Sequence, residues 1–68
     1  MKAWTSEEVR ELRKKYHLTQ RSLADLIGVT FRSVYYYERG LRVPARPTKM
    51  LLSRVERDLQ EKKGGEKK

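Results

Sequence analysis

Phe31, Tyr35, Tyr36 and Tyr37 fall within seven positions, and arginines stand among and beyond them at Arg32, Arg39, Arg42 and Arg46. A guanidinium is a fork of donors that fits the acceptor edge of guanine or the oxygens of a phosphate. Aromatic side chains beside it supply apolar contact for a thymine methyl, and tyrosine hydroxyls can donate to phosphates. The chemistry implied is recognition of a polyanion, without bond making. His17 is the only histidine, it stands at a helix end beside Leu18, and cysteine is absent. The residues offer no nucleophile with its base, no metal constellation and no phosphate-cradling glycine loop. The expectation is a chain with no catalytic residues, no metal and no cofactor.

Composition points the same way. The chain has 68 residues, with 17 Lys and Arg against 9 Asp and Glu, for a net charge of +8. So small a body makes one domain with a modest core. Its charge favours nucleic acid first and an anionic membrane surface second. A cationic surface kept for solubility is the plain alternative. No apolar run is long enough for a membrane span or a signal peptide. A cytoplasmic protein without a membrane partner is expected, associated with the nucleoid when bound.

The elements that must position these side chains read as helices throughout. Thr5 and Glu8 have the spacing of a capping box, with Trp4 and Val9 as its hydrophobic staple. Val9, Leu12 and Tyr16 then mark the buried face of a helix over residues 6–16. Thr19 caps a second helix in which Leu23, Ala24, Leu26 and Ile27 are apolar, and Gly28 stops it. Thr30 caps a third helix that ends at Gly40. Two short helices joined by a tight glycine turn are the arrangement of a helix-turn-helix.

The stretch LTQRSLADLIGVTFRSVYYYERG resembles the helix-turn-helix of the Cro and lambda-repressor family of regulators, also called the xenobiotic-response-element family. Counted from Gln20, Ala24 fills the fifth place, Gly28 the ninth and Val34 the fifteenth. Leu23, Ile27, Val29 and Tyr37 fill the remaining apolar places. His17 departs from the family, which often has Gly there. The resemblance covers about residues 9–52. It implies an all-α bundle of four to five helices and a DNA-binding transcriptional regulator, prokaryotic or phage, acting as a repressor or an antitoxin-like autoregulator. It places Phe31 at a base-contact position and Gln20 at a phosphate clamp, helped by the positive end of its helix.

With Val34 turned inward to anchor the third helix, a rotation of 100° per residue distributes the rest. Tyr37 lies inside. Arg32 and Tyr36 face outward, flanked by Tyr35 and Arg39, with Ser33 at the other edge. Phe31, Arg32, Tyr35 and Tyr36 are the expected base contacts, with Arg32 bidentate to guanine. Phe31 reads equally as a core residue, and Tyr35 also as an idle surface aromatic. Gln20, Thr30, Ser33, Arg39, Arg42 and Arg46 are the expected backbone contacts. Glu38 lies nearer the inside and reads as structural, an anchor for a backbone donor or an arginine.

After Gly40, two prolines make LRVPARP an extended connection, and Pro47 opens a last helix that ends near Gln60. Met50, Leu51, Leu52, Val55 and Leu59 form its apolar face, Leu51 and Leu52 closing the core. Val55 and Leu59 read as surplus, available to pair two copies on a palindromic double-stranded operator. A toxin or another protein partner is also open. The domain is expected over residues 1–61, with a disordered basic tail over 62–68. Two rivals remain: a non-specific nucleic-acid or RNA binder that stacks bases on its aromatics, and a protein-interaction module that uses the last helix. A Myb-like reading of WTSEE lacks the further tryptophans that fold's core uses.

Overall fold

The computed structural model describes residues 2–65, and the side chains of residues 2–62. Its elements are four helices, α1 (Ser6–Lys15), α2 (Gln20–Ile27), α3 (Phe31–Arg39) and α4 (Arg46–Gly65), with no strand among the described residues. The expected all-α class is the observed one.

Local chemistry sets the helix ends. The Thr5 hydroxyl accepts from the Glu8 amide and the Glu8 carboxylate accepts from the Thr5 amide, so the capping box is present in both directions. Trp4 is buried with Val9, as the staple requires, and its indole N–H donates to Ser53 Oγ of α4 at 2.9 Å. Burial of the indole holds Trp4 at a φ of 58°, a costly value for a non-glycine residue. At the other end of α1, the amide of Leu18 donates to the Arg13 carbonyl and that of His17 to the Lys14 carbonyl. That pair of bonds is a Schellman motif with His17 in its left-handed position, φ 57°. The glycine that the resemblance leads one to expect at this position therefore has a backbone cause. Gly28 and Gly40 take the same conformation at the ends of α2 and α3, with φ 71° and 74°. Open space surrounds the missing Cβ at both, so the backbone angle is what asks for glycine.

The core gathers Trp4, Val9, Leu12, Leu23, Ala24, Ile27, Val34, Tyr37, Leu52 and Val55, with Tyr16, Leu18, Val29 and Leu59 packed against it. Several expectations are corrected here. Leu51 is 41% exposed and Met50 is also exposed, so Leu52 closes the core from α4 without them. Val55 is 9% exposed and Leu59 half-buried against the same cluster, so the residues expected to be surplus belong to the chain's own interior. The reason is helical phase: Leu52, Val55 and Leu59 are three and four apart and share one stripe, whereas Met50 and Leu51 fall off it. Leu26, expected on the apolar side of α2, lies outside for the same reason. α4 runs to Gly65, past the end expected near Gln60. Residues 66–68 of the expected tail lie outside the described residues. Among the described residues no helix is long and apolar enough to cross a membrane.

Candidate nucleic-acid interface

α3 is held by its inner side. Val34 has no exposure and Tyr37 is buried beside it, while Leu23, Ala24 and Ile27 of α2 complete the seam. Ala24 is buried where the two helices pack, so a larger side chain there would force them apart. Thr30 caps α3 by accepting from the Ser33 amide at 3.2 Å, and the two hydroxyls lie 3.1 Å apart.

Glu38 is 5% exposed and is the buried charge among the described residues. Arg13 of α1 meets it with two bonds, Nε to Oε2 at 2.6 Å and Nη2 to Oε1 at 2.9 Å. The Gln20 amide donates to Oε1 at 3.3 Å, and Arg10 Nη1 donates to the Glu38 backbone carbonyl. This hydrogen bond to Glu38 raises the Arg13 pKa above its ordinary value, more than partial burial lowers it. The structural role expected of Glu38 is the observed one, and its partner is an arginine. Sequence reading left Arg10 and Arg13 out, because their link to Glu38 spans more than twenty positions and has no local signature.

The outer side of α3 carries the side chains expected to contact DNA. Arg32, Tyr35 and Arg39 are exposed and Tyr36 is half-buried. Phe31 is 48% exposed, so it is not a core residue. It is the first residue of α3, and helical side chains lean toward the N-terminus, which carries its ring beyond the packed turn. Three rings hold arginines: Arg21 lies 5.5 Å from the Phe31 centroid, Arg39 5.5 Å from Tyr35 and Arg42 5.4 Å from Tyr36. Tyr35 and Tyr36 are themselves 5.8 Å apart and tilted by 56°. Such contacts pre-orient guanidinium groups that would otherwise sample many rotamers. Arg21 was missed in the sequence because only the packing of α2 on α3 brings it to Phe31. Arg46 is exposed at the start of α4.

A helix-turn-helix family model matches residues 9–63. The chain belongs to the Cro- and lambda-repressor-like helix-turn-helix family. It is 38% identical over 47 residues to a Methanothermobacter thermautotrophicus protein named as an HTH-type transcriptional regulatory protein, a match covering 69% of this chain and 15% of that one. It is also 38% identical over 48 residues to repressor protein C of Escherichia phage P2, covering 71% of this chain. The match spans 46% of the phage protein, so the chain corresponds to less than half of each relative.

Within this helix-turn-helix, the expected backbone contacts divide into two kinds. Arg39, Arg42 and Arg46 are exposed cations. Gln20, Thr30 and Ser33 already have partners inside the protein: Gln20 holds Glu38, and Thr30 and Ser33 hold each other. A hydroxyl or amide can serve both, since each has further hydrogen-bonding capacity. Phe31, Arg32, Tyr35 and Tyr36 come together around one shallow depression.

Proposed function

We propose that this chain is a sequence-specific double-stranded DNA-binding transcriptional regulator that lays α3 in the major groove. The observation that carries this reading is the division of α3 into a fully buried anchor, Val34, and an outer face where Arg32 stands among Phe31, Tyr35 and Tyr36. Arg32 has the reach and forked donors to read guanine O6 and N7. Arg39, Arg42 and Arg46 neutralise phosphates along the flanks, with Gln20, Thr30 and Ser33 contributing uncharged backbone contacts. The one acid between Thr30 and Arg46, Glu38, is buried and compensated by Arg13, so it does not repel the DNA.

A repressor is the favoured kind of regulator, supported by the name of the phage relative. Such a protein works in the cytoplasm, on the nucleoid. One short recognition helix reads only a few base pairs, so selective occupancy calls for two copies on a palindromic operator, half-sites about 34 Å apart. Val55 is engaged inside each copy and Leu59 partly so, which leaves little of this pair for a contact between copies.

Selection of bound sequences from random duplex DNA tests the reading. Enrichment of a defined, symmetric sequence is expected, with affinity falling by orders of magnitude between 50 and about 200 mM salt. Equal retention of all duplexes, or preference for single strands, would replace it with the non-specific reading.

A further inference from the structure

The depression on α3 combines two kinds of surface. Phe31, Tyr35 and Tyr36 line it with ring carbon, and Arg32 lines it with a guanidinium. These positions are i, i+1, i+4 and i+5, so they share one face of the helix and the depression opens along it. Arg21, Arg39 and Arg42 each lie over one of these rings, which favours the ring orientations that line the depression. Those arginines lie over one face of each ring, and that face is closed to base stacking. Arg32 is bonded to no other group among the described residues, so its guanidinium is available to a base.

In the major groove the distinctive apolar group is the C5-methyl of a pyrimidine, and the distinctive partner of arginine is guanine. Neighbouring base pairs are about 3.4 Å apart along each strand, close enough for one depression to serve a guanine and the next pair together. We propose that Phe31, Tyr35 and Tyr36 form a receptacle for the C5-methyl of a thymine or 5-methylcytosine in the base pair adjoining the guanine that Arg32 contacts. The proposal rests on the major-groove reading of α3 and adds a requirement to it: one half of the recognised step is a methyl group. Methylation of a cytosine there would strengthen a weak site about fourfold.

The test uses the duplex obtained by selection, with three replacements at the pyrimidine next to the conserved guanine. Deoxyuridine in place of thymine removes the methyl alone, and is expected to weaken binding about fourfold, the worth of one buried methyl. A cytosine–guanine pair there should bind weakly, and 5-methylcytosine should recover about the same factor. Phe31→Ala, and independently Tyr35→Ala, should erase the difference between thymine and deoxyuridine while leaving the loss caused by replacing the guanine. Both side chains are substantially exposed, so either variant is expected to fold, which circular dichroism checks. Equal binding of thymine and deoxyuridine duplexes, or a selected sequence with no methylated pyrimidine beside its guanine, overturns the receptacle while leaving the regulator reading intact. Selection that enriches no duplex overturns that reading and the receptacle with it.

Discussion

Arg13 and Glu38 are 25 positions apart and meet side by side, two guanidinium nitrogens on two carboxylate oxygens at 2.6 and 2.9 Å. The pair ties α1 to the last turn of α3, and Arg10 reinforces it at the Glu38 carbonyl. α1 has no place in the outer face of α3, yet through this contact it fixes the end of the helix that presents Tyr35, Tyr36 and Arg39.

Removing one partner should therefore cost more than removing both. Glu38→Ala leaves Arg13 half-buried without its carboxylate, and a loss of about 3 kcal/mol is expected. The double variant Arg13→Met, Glu38→Leu should recover most of it, because neither charge then needs compensation. Urea unfolding of the three proteins measures this. A double variant as weak as Glu38→Ala would mean that the tie contributes through packing.

Val34→Asp should unfold the domain, whereas Arg32→Ala should leave its melting point nearly unchanged. Val34 has no exposure, and a carboxylate there would have no partner, at a cost of several kcal/mol in a small domain. Arg32 is exposed, and its loss is worth roughly 0.5 kcal/mol or less. Thermal melts compare them. A parent-like melt for Val34→Asp would contradict the observed orientation of α3.

Val55→Asp and Leu51→Asp separate the two apolar sets of α4. Val55 is part of the core and its replacement should destabilise by several kcal/mol. Leu51 is 41% exposed and outside the core, so Leu51→Asp should cost far less than Val55→Asp, about 1 kcal/mol or less. Denaturant midpoints with unchanged slopes would show that both report on the same folded state.

His17→Gly should stabilise the chain by about 1 kcal/mol. The residue is exposed and sits at φ 57°, where a side chain is strained and glycine is not. For a domain of this size the melting temperature should rise by roughly 4–8 °C. A lower melting temperature would mean that the imidazole makes a favourable interaction outweighing its backbone strain.

On DNA, Arg32→Ala should relax the choice of base at one position, with about 1–3 kcal/mol of discrimination lost. Arg42→Ala and Arg46→Ala should instead weaken all duplexes evenly and make the salt dependence shallower, since phosphate contacts carry no base information. Competition between the selected and scrambled duplexes distinguishes the classes. An even loss from Arg32→Ala would move that residue to the backbone set.

The sequence by itself determined whatever depends on neighbours along the chain. Thr5 with Glu8, Thr19, Thr30, Gly28 and Gly40 set the helix ends, because caps and left-handed turns are made by residues a few positions apart. The phase of α3 was legible too, since one inward residue, Val34, assigns Arg32, Tyr36 and Tyr37 to their sides by rotation. Tertiary structure decided what several elements must supply jointly. Only packing could show that α4 turns Leu52, Val55 and Leu59 inward and leaves Leu51 outside, because that run of apolar residues fits more than one stripe. Only packing could send Phe31 outward from a position that rotation left undecided. The joining of Arg13 to Glu38, and of Arg21 to Phe31, likewise needed the fold, since long-range pairs between charged and aromatic side chains have no spacing rule that a linear sequence can display.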